Sequence, residues 1–450
     1  MTRKVKYAVI LLLVVFLLFT LIEISGYYYG KKRVVKKIYP IPSMYQRVLI
    51  IAPHPDDETL AAGGLIQDVV KFGGEVKVVV MTNGDSFKRA VVENYGIFDP
   101  TPQDFLRLGY ERQKETLSAL KYLGVKKENI IFLGYPDKGL AALWWQNFEK
   151  PLLSYGTKKT CSPYVNSYSK CAKHIGKNVL KDLKSIIEGY NPTLVVYPHP
   201  NELHPDHWAT NSFVKYTLYT LKKDQIPQFL YIVHRNDWPL PLLKQPHLNL
   251  NPPPSLLKTG TEWHLYPLSK EEVEKKGKAI AMYKTQMKVM KDFLLAFDRK
   301  TELYGFYSNG KLKKYNKNLN FEEYKIILDP VKDNLRDYEN GSLDIIAVYG
   351  YMKDDVMTIA IKCREKAREE YEYSVNIIFF EDYKEVKRQS IKFKNKKIFP
   401  LKAKGFIKNG ILYISFPVDK EFDAIYLSAS TFSGKKLVDK TAWKLLKKIQ

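Results

Sequence analysis

Thiols are scarce in this sequence: three cysteines in 450 residues, with no C-x-x-C pair among them. That excludes a cysteine-based zinc site and a dithiol redox motif. Cys161 and Cys171 lie ten positions apart in the polar stretch TCSPYVNSYSKCAK, a spacing that suits either a disulfide in an oxidising compartment or two free surface thiols. Cys363 falls in the alternating run VMTIAIKC and reads as a core thiol. Glycine-rich phosphate loops and an H-E-x-x-H helix are missing, which removes the common dinucleotide, nucleoside-triphosphate and zincin readings. With 24 glycines, 24 prolines and 45% apolar residues, the chain is neither fibrous nor disordered. Acidic residues are the other shortage, 48 against 72 basic, for a net charge of +24. Such a balance favours a lipid surface, an acidic glycan or nucleic acid, but no nucleic-acid recognition motif accompanies it, so no nucleic-acid partner is expected.

Long apolar runs are missing as well, with one exception. Tyr7 to Ile22 reads YAVILLLVVFLLFTLI, without a charge and with a single Thr. Arg3, Lys4 and Lys6 precede it, as in a signal peptide, yet Glu23, Ile24 and Ser25 follow where small-x-small would mark a cleavage site. An uncut anchor fits better than a cleaved signal. Tyr7 to Tyr29 covers roughly 30 Å as a helix, and Tyr27, Tyr28 and Tyr29 suit an interfacial belt. Five basic residues follow closely (Lys31, Lys32, Arg33, Lys36, Lys37), so the positive-inside count does not favour export, although a short tail before a long body is the signal-anchor layout.

From Arg47 onward, apolar runs such as RVLIIAP, VKVVVMT, NIIFLGYP and TLVVYPHP alternate with helical patterns, the grammar of a parallel sheet covered on both faces. FLYIVHR, a proline-rich loop over residues 236 to 255 and one long helix through SKEEVEKKGKAIAMYKTQMKVMKDFLLAF close this region. Beyond residue 310, short alternating runs follow one another without helices, with Asn409-Gly410 as a hairpin signal, and suggest an antiparallel sandwich. TAWKLLKKIQ at the end reads as a short, basic, partly amphipathic tail.

The densest chemistry is PHPDDE, residues 53 to 58, after the first strand of the α/β region. Ligands of open α/β sheets bind beyond the carboxyl ends of strands. His54 and Asp57 can converge across a strand-to-helix turn, and HPDH, residues 204 to 207, supplies His207 after another strand. A His, Asp, His set with one position left for water is a catalytic zinc pattern. Adjacent Asp56 is free to stand beside that water as a base, His204 to stabilise an oxyanion, and Asp206 to orient a histidine through its ring N–H. The plainer reading of either motif is a capped turn, with Pro fixing the bend and Asp57 capping a helix.

PHPDDE followed about 150 residues later by HPDH resembles the LmbE-like or PIG-L family of zinc-dependent N-deacetylases. TNGD, ERQKE with Arg112 and Glu115, GYPD with Asp137, and AMYKTQ extend the likeness over about residues 45 to 305. The resemblance implies that His54, Asp57 and His207 bind Zn2+, Asp56 is the general base, His204 stabilises the intermediate or donates a proton with Asp206 tuning it, and Arg112 and Asp137 face an N-acetylated amino sugar in a glycan, glycolipid or related conjugate. Pro53 stands where Ala is more usual, and the loop from about 140 to 175, with Trp144 and Trp145, is outside the family pattern. The Trp pair reads as core rather than a sugar platform. His199 and Asn201 are candidates to line the pocket, His234 and His264 read as structural, and Glu202 has no assignment. The expected fold is a Rossmann-like α/β catalytic domain with a C-terminal all-β sandwich-like domain and an N-terminal transmembrane helix. Its expected parts are an anchor (1–30), a basic linker (31–45), a zinc deacetylase domain (46–310), a linker (311–335), a β domain (336–440) and a basic tail (441–450). A single-pass protein of the cell membrane follows, with its catalytic domain outside the cytoplasm. An amidase acting on another acylated amine, or a non-catalytic glycan-binding protein, are the alternatives.

Overall fold

In the computed structural model, residues 3–39, 42–332, 339–400, 402–418 and 421–449 are described. Residues 333–338, where the expected linker meets the expected β domain, lie outside them, as do residues 40, 41, 401, 419, 420 and 450 of the other expected parts. The chain divides into two compact units, one of Met1–Leu218, Lys223–Pro253 and Trp263–Phe306, the other of Tyr219–Lys222, Pro254–Glu262 and Tyr307–Gln450.

The first unit opens with a helix over Arg3–Lys31, in which the stretch Lys4–Lys31 contains an 18-residue window of mean hydropathy 2.8 and is long and apolar enough to cross a membrane. Its sheet places Gln228–Tyr231, Leu194–Pro198, Arg47–Ala52, Glu75–Thr82 and Ile130–Tyr135 side by side, all parallel. Numbered along the chain, that is the 3-2-1-4-5 order of a doubly wound sheet, and its switch point falls between Arg47–Ala52 and Leu194–Pro198. These strands are near-continuous apolar runs because helices cover both faces: Leu49, Ile50, Val79, Val195 and Val196 are fully buried. Three further strands, Lys36–Lys37, Glu262–Pro267 and Thr301–Phe306, extend the sheet on one side. The sequence hides them because they are short or mix charge and glycine into the run.

The single long helix expected near residue 280 is two, Lys270–Ile280 and Lys284–Leu295. Tyr283 leaves helical geometry at the break, where its buried hydroxyl bonds Glu58 (2.5 Å) and Thr59 (2.8 Å), so tertiary hydrogen bonds override the helical period. Cys161 and Cys171 form a disulfide. Trp144 is core, fully buried with its ring edge-on to Phe213 and Tyr216.

Among the described residues, the second unit is a twelve-stranded, mostly antiparallel sheet. Parallel pairing occurs where Gly310–Lys314 bridges Ile345–Lys353 and Lys444–Lys448. The expected tail is therefore a strand: KLLKK fills the gap between Ala424–Ser433 and Gly310–Lys314, with Leu446 in the core. Gly310–Lys314 and Lys325–Leu328 likewise occupy part of the expected linker. Asn409 and Gly410 (φ 53° and 78°) make the two-residue turn that joins Lys404–Lys408 to Ile411–Pro417. Cys363 is buried in the core of this unit, and burial pushes its thiol far up.

Candidate active site

The two central strands end beside each other, and each is followed by a turn that opens a helix. After Arg47–Ala52, the chain turns at Asp56, whose φ of 106° is unusual for a residue other than glycine, and the helix Asp57–Lys71 begins at once. After Leu194–Pro198, Pro205 opens the helix Pro205–Thr220, leaving His207 in its first turn. The geometry brings His54 Nδ1 within 3.2 Å of Asp57 Oδ2, His207 Nε2 within 3.1 Å of the same oxygen, and the two ring nitrogens within 3.3 Å of each other.

The outward nitrogens of both rings face carboxylates. His207 Nδ1 is 3.0 Å from Glu202 Oε1, and His54 Nε2 is 3.2 Å from Asp206 Oδ2 and 3.3 Å from Asp137 Oδ1. With the ring protons on those outward atoms, three lone pairs converge at the centre, and Asp57 Oδ1 is buried with no hydrogen-bond partner among the described residues. A tetrahedral ion with bonds of about 2.0–2.1 Å spreads its donors about 3.3–3.4 Å apart, so the residues present fit a metal ion. The same demand for positive charge governs titration. Burial pushes His54 and His207 down, but Asp137, Asp206 and Asp57 around the first, and Asp57 and Glu202 around the second, outweigh it. His54 is lifted well above the usual imidazole range and His207 to about 9.

A cavity of about 240 Å³ opens beside this centre. Its polar side holds His54, Asp56, Arg112, Asp137, His204 and His234; Leu60, Phe87, Met290, Phe293 and Leu294 make an apolar wall. Burial raises the Asp56 carboxyl to about 7 against the pull of Arg112, whose Nη2 donates to Asp56 Oδ2 (3.2 Å) and the Pro55 carbonyl (2.7 Å). Arg112 Nη1 also donates to the Gly84 carbonyl (3.0 Å). Gly84 has φ 58°, and a Cβ there would stand 1.7 Å from Arg112 Nη1, so the glycine of TNGD is required by close approach. His204 Nδ1 accepts from the Asp206 N–H (3.2 Å), which leaves the ring proton on Nε2, and burial holds the ring down to about 4.

Residues 49–218 match the family model described as PIG-L: GlcNAc-PI de-N-acetylase. These residues are a PIG-L (LmbE-like) domain. The chain is 25% identical over 193 residues to a probable N-acetyl-alpha-D-glucosaminyl L-malate deacetylase 2 of Bacillus anthracis, covering 43% of this chain and 68% of that one. It is 38% identical over 99 residues to a 1D-myo-inositol 2-acetamido-2-deoxy-alpha-D-glucopyranoside deacetylase of Mycobacterium sp. (strain KMS), covering 21% and 30%. It is also 27% identical over 130 residues to a probable N-acetylglucosaminyl-phosphatidylinositol de-N-acetylase of Dictyostelium discoideum, covering 28% and 42%.

In the PIG-L domain, the structure brings together all eight residues singled out from the sequence, but Asp206 stands differently. Its carboxylate accepts from the Lys138 and Leu140 N–H groups (2.6 and 2.9 Å) and meets His54 rather than the His204 ring, because it leaves the first helical turn toward the loop after GYPD. Three neighbours escaped sequence reasoning. Glu202 anchors His207 while accepting the Val233 and His234 N–H groups (2.6 and 2.9 Å). His234, read as structural, completes a four-residue cluster with His54, Asp57 and His207 and stacks on Phe293, just beyond the PIG-L match. Lys138 lines the cavity and donates from Nζ to the Ser86 carbonyl (2.9 Å). NELHPDH was the available signal for Glu202; His234 offered none beyond following a strand. His199 packs on Trp263 instead of the cavity, and neither it nor Asn201 is among the lining residues, while His264 lies edge-on to Phe306.

Proposed function

We propose that this chain is a membrane-anchored, zinc-dependent hydrolase that removes the acetyl group from an N-acetylglucosamine-type amino sugar in a glycan, glycolipid or related conjugate. One observation carries the reading: within a PIG-L domain, acceptor atoms of His54, Asp57 and His207 converge at the switch point of the sheet, directly beside Asp56. The names of the relatives, deacetylases of N-acetylglucosamine joined to malate, inositol or phosphatidylinositol, support the substrate class.

His54 Nδ1, Asp57 Oδ2 and His207 Nε2 are the atoms that would hold zinc. When bound, zinc supplies a Lewis acid that polarises an acyl carbonyl and acidifies water. Asp56, held by Arg112 and lifted to about 7 by burial, is poised to take a proton from water near neutral pH. His204, with its proton on Nε2, serves as a hydrogen-bond donor to the oxyanion, and the proton that Asp56 takes from water is the one that passes to the leaving amine. Asp137 and Asp206 hold the outward side of His54, and the Asp206 backbone N–H donates to His204 Nδ1 while its carboxylate pulls the ring's titration upward. Arg112 keeps Asp56 aimed and contributes, with Asp137, to the polar floor on which a sugar rests. The apolar helix Arg3–Lys31 anchors the enzyme, residues 46–310 carry the chemistry, and the β strands beyond pack as a sandwich-like accessory domain whose two halves share one core.

An acetate-release screen across N-acetylglucosaminyl glycans and glycolipids, with chelator controls, tests this. Release that stops with chelator and returns with zinc is expected. Asp56→Asn, which tolerates positive φ better than Ala, should retain the metal and lose turnover by about 10²- to 10⁴-fold. Full turnover by Asp56→Asn removes the base assignment, and a metal-free parent that releases no acetate removes the enzyme reading.

A further inference from the structure

The apolar helix does not end in a free linker. Over residues 4–19 every side chain is exposed, whereas Gly26 and Gly30 are buried and Glu23, Tyr27 and Tyr29 half-buried, a one-face stripe at helical spacing. That face is docked on the proline-rich loop of the catalytic unit. Both oxygens of Glu23 accept the Leu242 N–H (3.1 and 3.0 Å). A Cβ on Gly26 would stand 2.6 Å from Leu240 Cβ, so glycine permits the approach. The Gly30 carbonyl accepts the Asn249 N–H (2.9 Å), the Tyr29 hydroxyl donates to the Pro252 carbonyl (2.9 Å), and Asn251 Nδ2 donates to the Tyr29 and Lys32 carbonyls (2.7 and 3.0 Å).

The loop is itself braced toward the cavity. Trp238 Nε1 donates to the Asn251 carbonyl (2.7 Å), and its ring meets Phe297, which meets Phe293 of the cavity wall. Arg299 donates to the Pro241 carbonyl (2.5 Å). Lys4 to Ile22 covers about 28 Å as a helix, close to the hydrocarbon thickness of a bilayer. The bilayer exit and the first docking residue are therefore the same place, Glu23.

We propose that Glu23–Lys31 is a rigid seat that fixes the catalytic unit on the surface of a phospholipid bilayer, with the loop around Leu243 at headgroup level and the cavity held at one height above it. The partner is the bilayer itself. Leu243 is 50% exposed next to the residue that Glu23 holds, and exposed Lys31, Lys32, Arg33, Lys36 and Lys37 complement anionic headgroups. The inference deepens the membrane-anchored reading above and rests on it. Cleavage as a signal would remove contacts built into the fold, and a flexible tether is replaced by a fixed stand-off that selects amino sugars presented at the membrane surface.

The test uses the full chain carrying Leu243→Cys, labelled with an environment-sensitive fluorophore and reconstituted in phosphatidylcholine–phosphatidylglycerol vesicles. Cys363 is buried and Cys161 is bonded to Cys171, so the new thiol is the reactive one. Loss of emission on adding headgroup-spin-labelled lipid is expected. A Gly/Ser insert of about ten residues between Ile22 and Glu23, which adds about 17 Å of free reach and leaves the docked contacts intact, should restore the emission. Emission unaffected by the labelled lipid while the protein stays vesicle-bound, or quenching unchanged by the insert, overturns the seat alone. Recovery of a vesicle-free protein whose intact mass lacks residues 1–30 overturns the anchor reading and the seat with it.

Discussion

Glu202→Gln is the sharpest test of how the proposed metal centre is held, because the substitution keeps shape and removes one charge. The carboxylate accepts three hydrogens, from His207 Nδ1 and the Val233 N–H on Oε1 and from the His234 N–H on Oε2. A glutamine has one acceptor oxygen. Placed at Oε1, it keeps His207 and leaves its NH₂ facing the His234 N–H; reversed, it abandons His207 and Val233. The gentler outcome strands one buried donor, about 1–3 kcal/mol of stability. Loss of the negative charge behind the imidazole should weaken metal binding about 10- to 100-fold, or about 1.4–2.8 kcal/mol. Chelator-competition titration reads the affinity, and urea unfolding of the metal-free protein reads the stability. A variant that unfolds more easily yet binds zinc as tightly as the parent would refute the idea that Glu202 acts on the ion through His207.

Three further outcomes are expected. Lys276 and Glu302 form a fully buried pair (2.8 Å), with Glu302 also accepting from Gly64, Leu65 and Tyr304, so Lys276→Met strands a carboxylate and should cost about 3–5 kcal/mol in denaturant unfolding. Adding Glu302→Gln should recover part of the loss, and a single-variant penalty below about 1 kcal/mol contradicts the burial argument. Burial holds His174, beside the disulfide loop, down to about 4 against 6.5 unfolded; its contribution is fully present above pH 6.5 and is lost as pH falls through 4, up to about 3 kcal/mol. His174→Gln should flatten that part of the stability profile, measured as urea midpoints at pH 7 and 4.5 relative to the parent, and an unchanged difference disproves it. His234→Ala should lower metal affinity or turnover without destabilising the metal-free fold by more than about 1 kcal/mol, since its half-buried ring faces the cavity; a variant identical to the parent in both returns His234 to a packing role.

The proposed ligand set was legible because it comes from two contiguous motifs, each at the end of an apolar strand long enough to read. Glu202 shares the NELHPDH stretch with His207, but its other partners, the Val233 and His234 N–H groups, and His234 itself are brought by the turn after Gln228–Tyr231, which no local pattern announces. Asp206 was legible as a site residue but not in its partners, since Lys138 and Leu140 approach from another strand's loop. The same division runs through the fold. RVLIIA and LVVYP declare themselves as central strands. GKLKK and KLLKK, each with lysines on three of five positions, become strands only by pairing with each other and with neighbours far away in sequence.

The doubly wound order sets side by side two strands that are followed by the clustered His54 and His207, 153 positions apart. Any ion gripped by His54, Asp57 and His207 is thus a clasp across that whole stretch of chain, comparable in kind to a cross-link that closes a long loop and limits the freedom of the unfolded state. Its removal would be felt beyond the chemistry: a protease should find the segment between the two histidines sooner in chelated protein, even with substrate absent and every catalytic side chain in place.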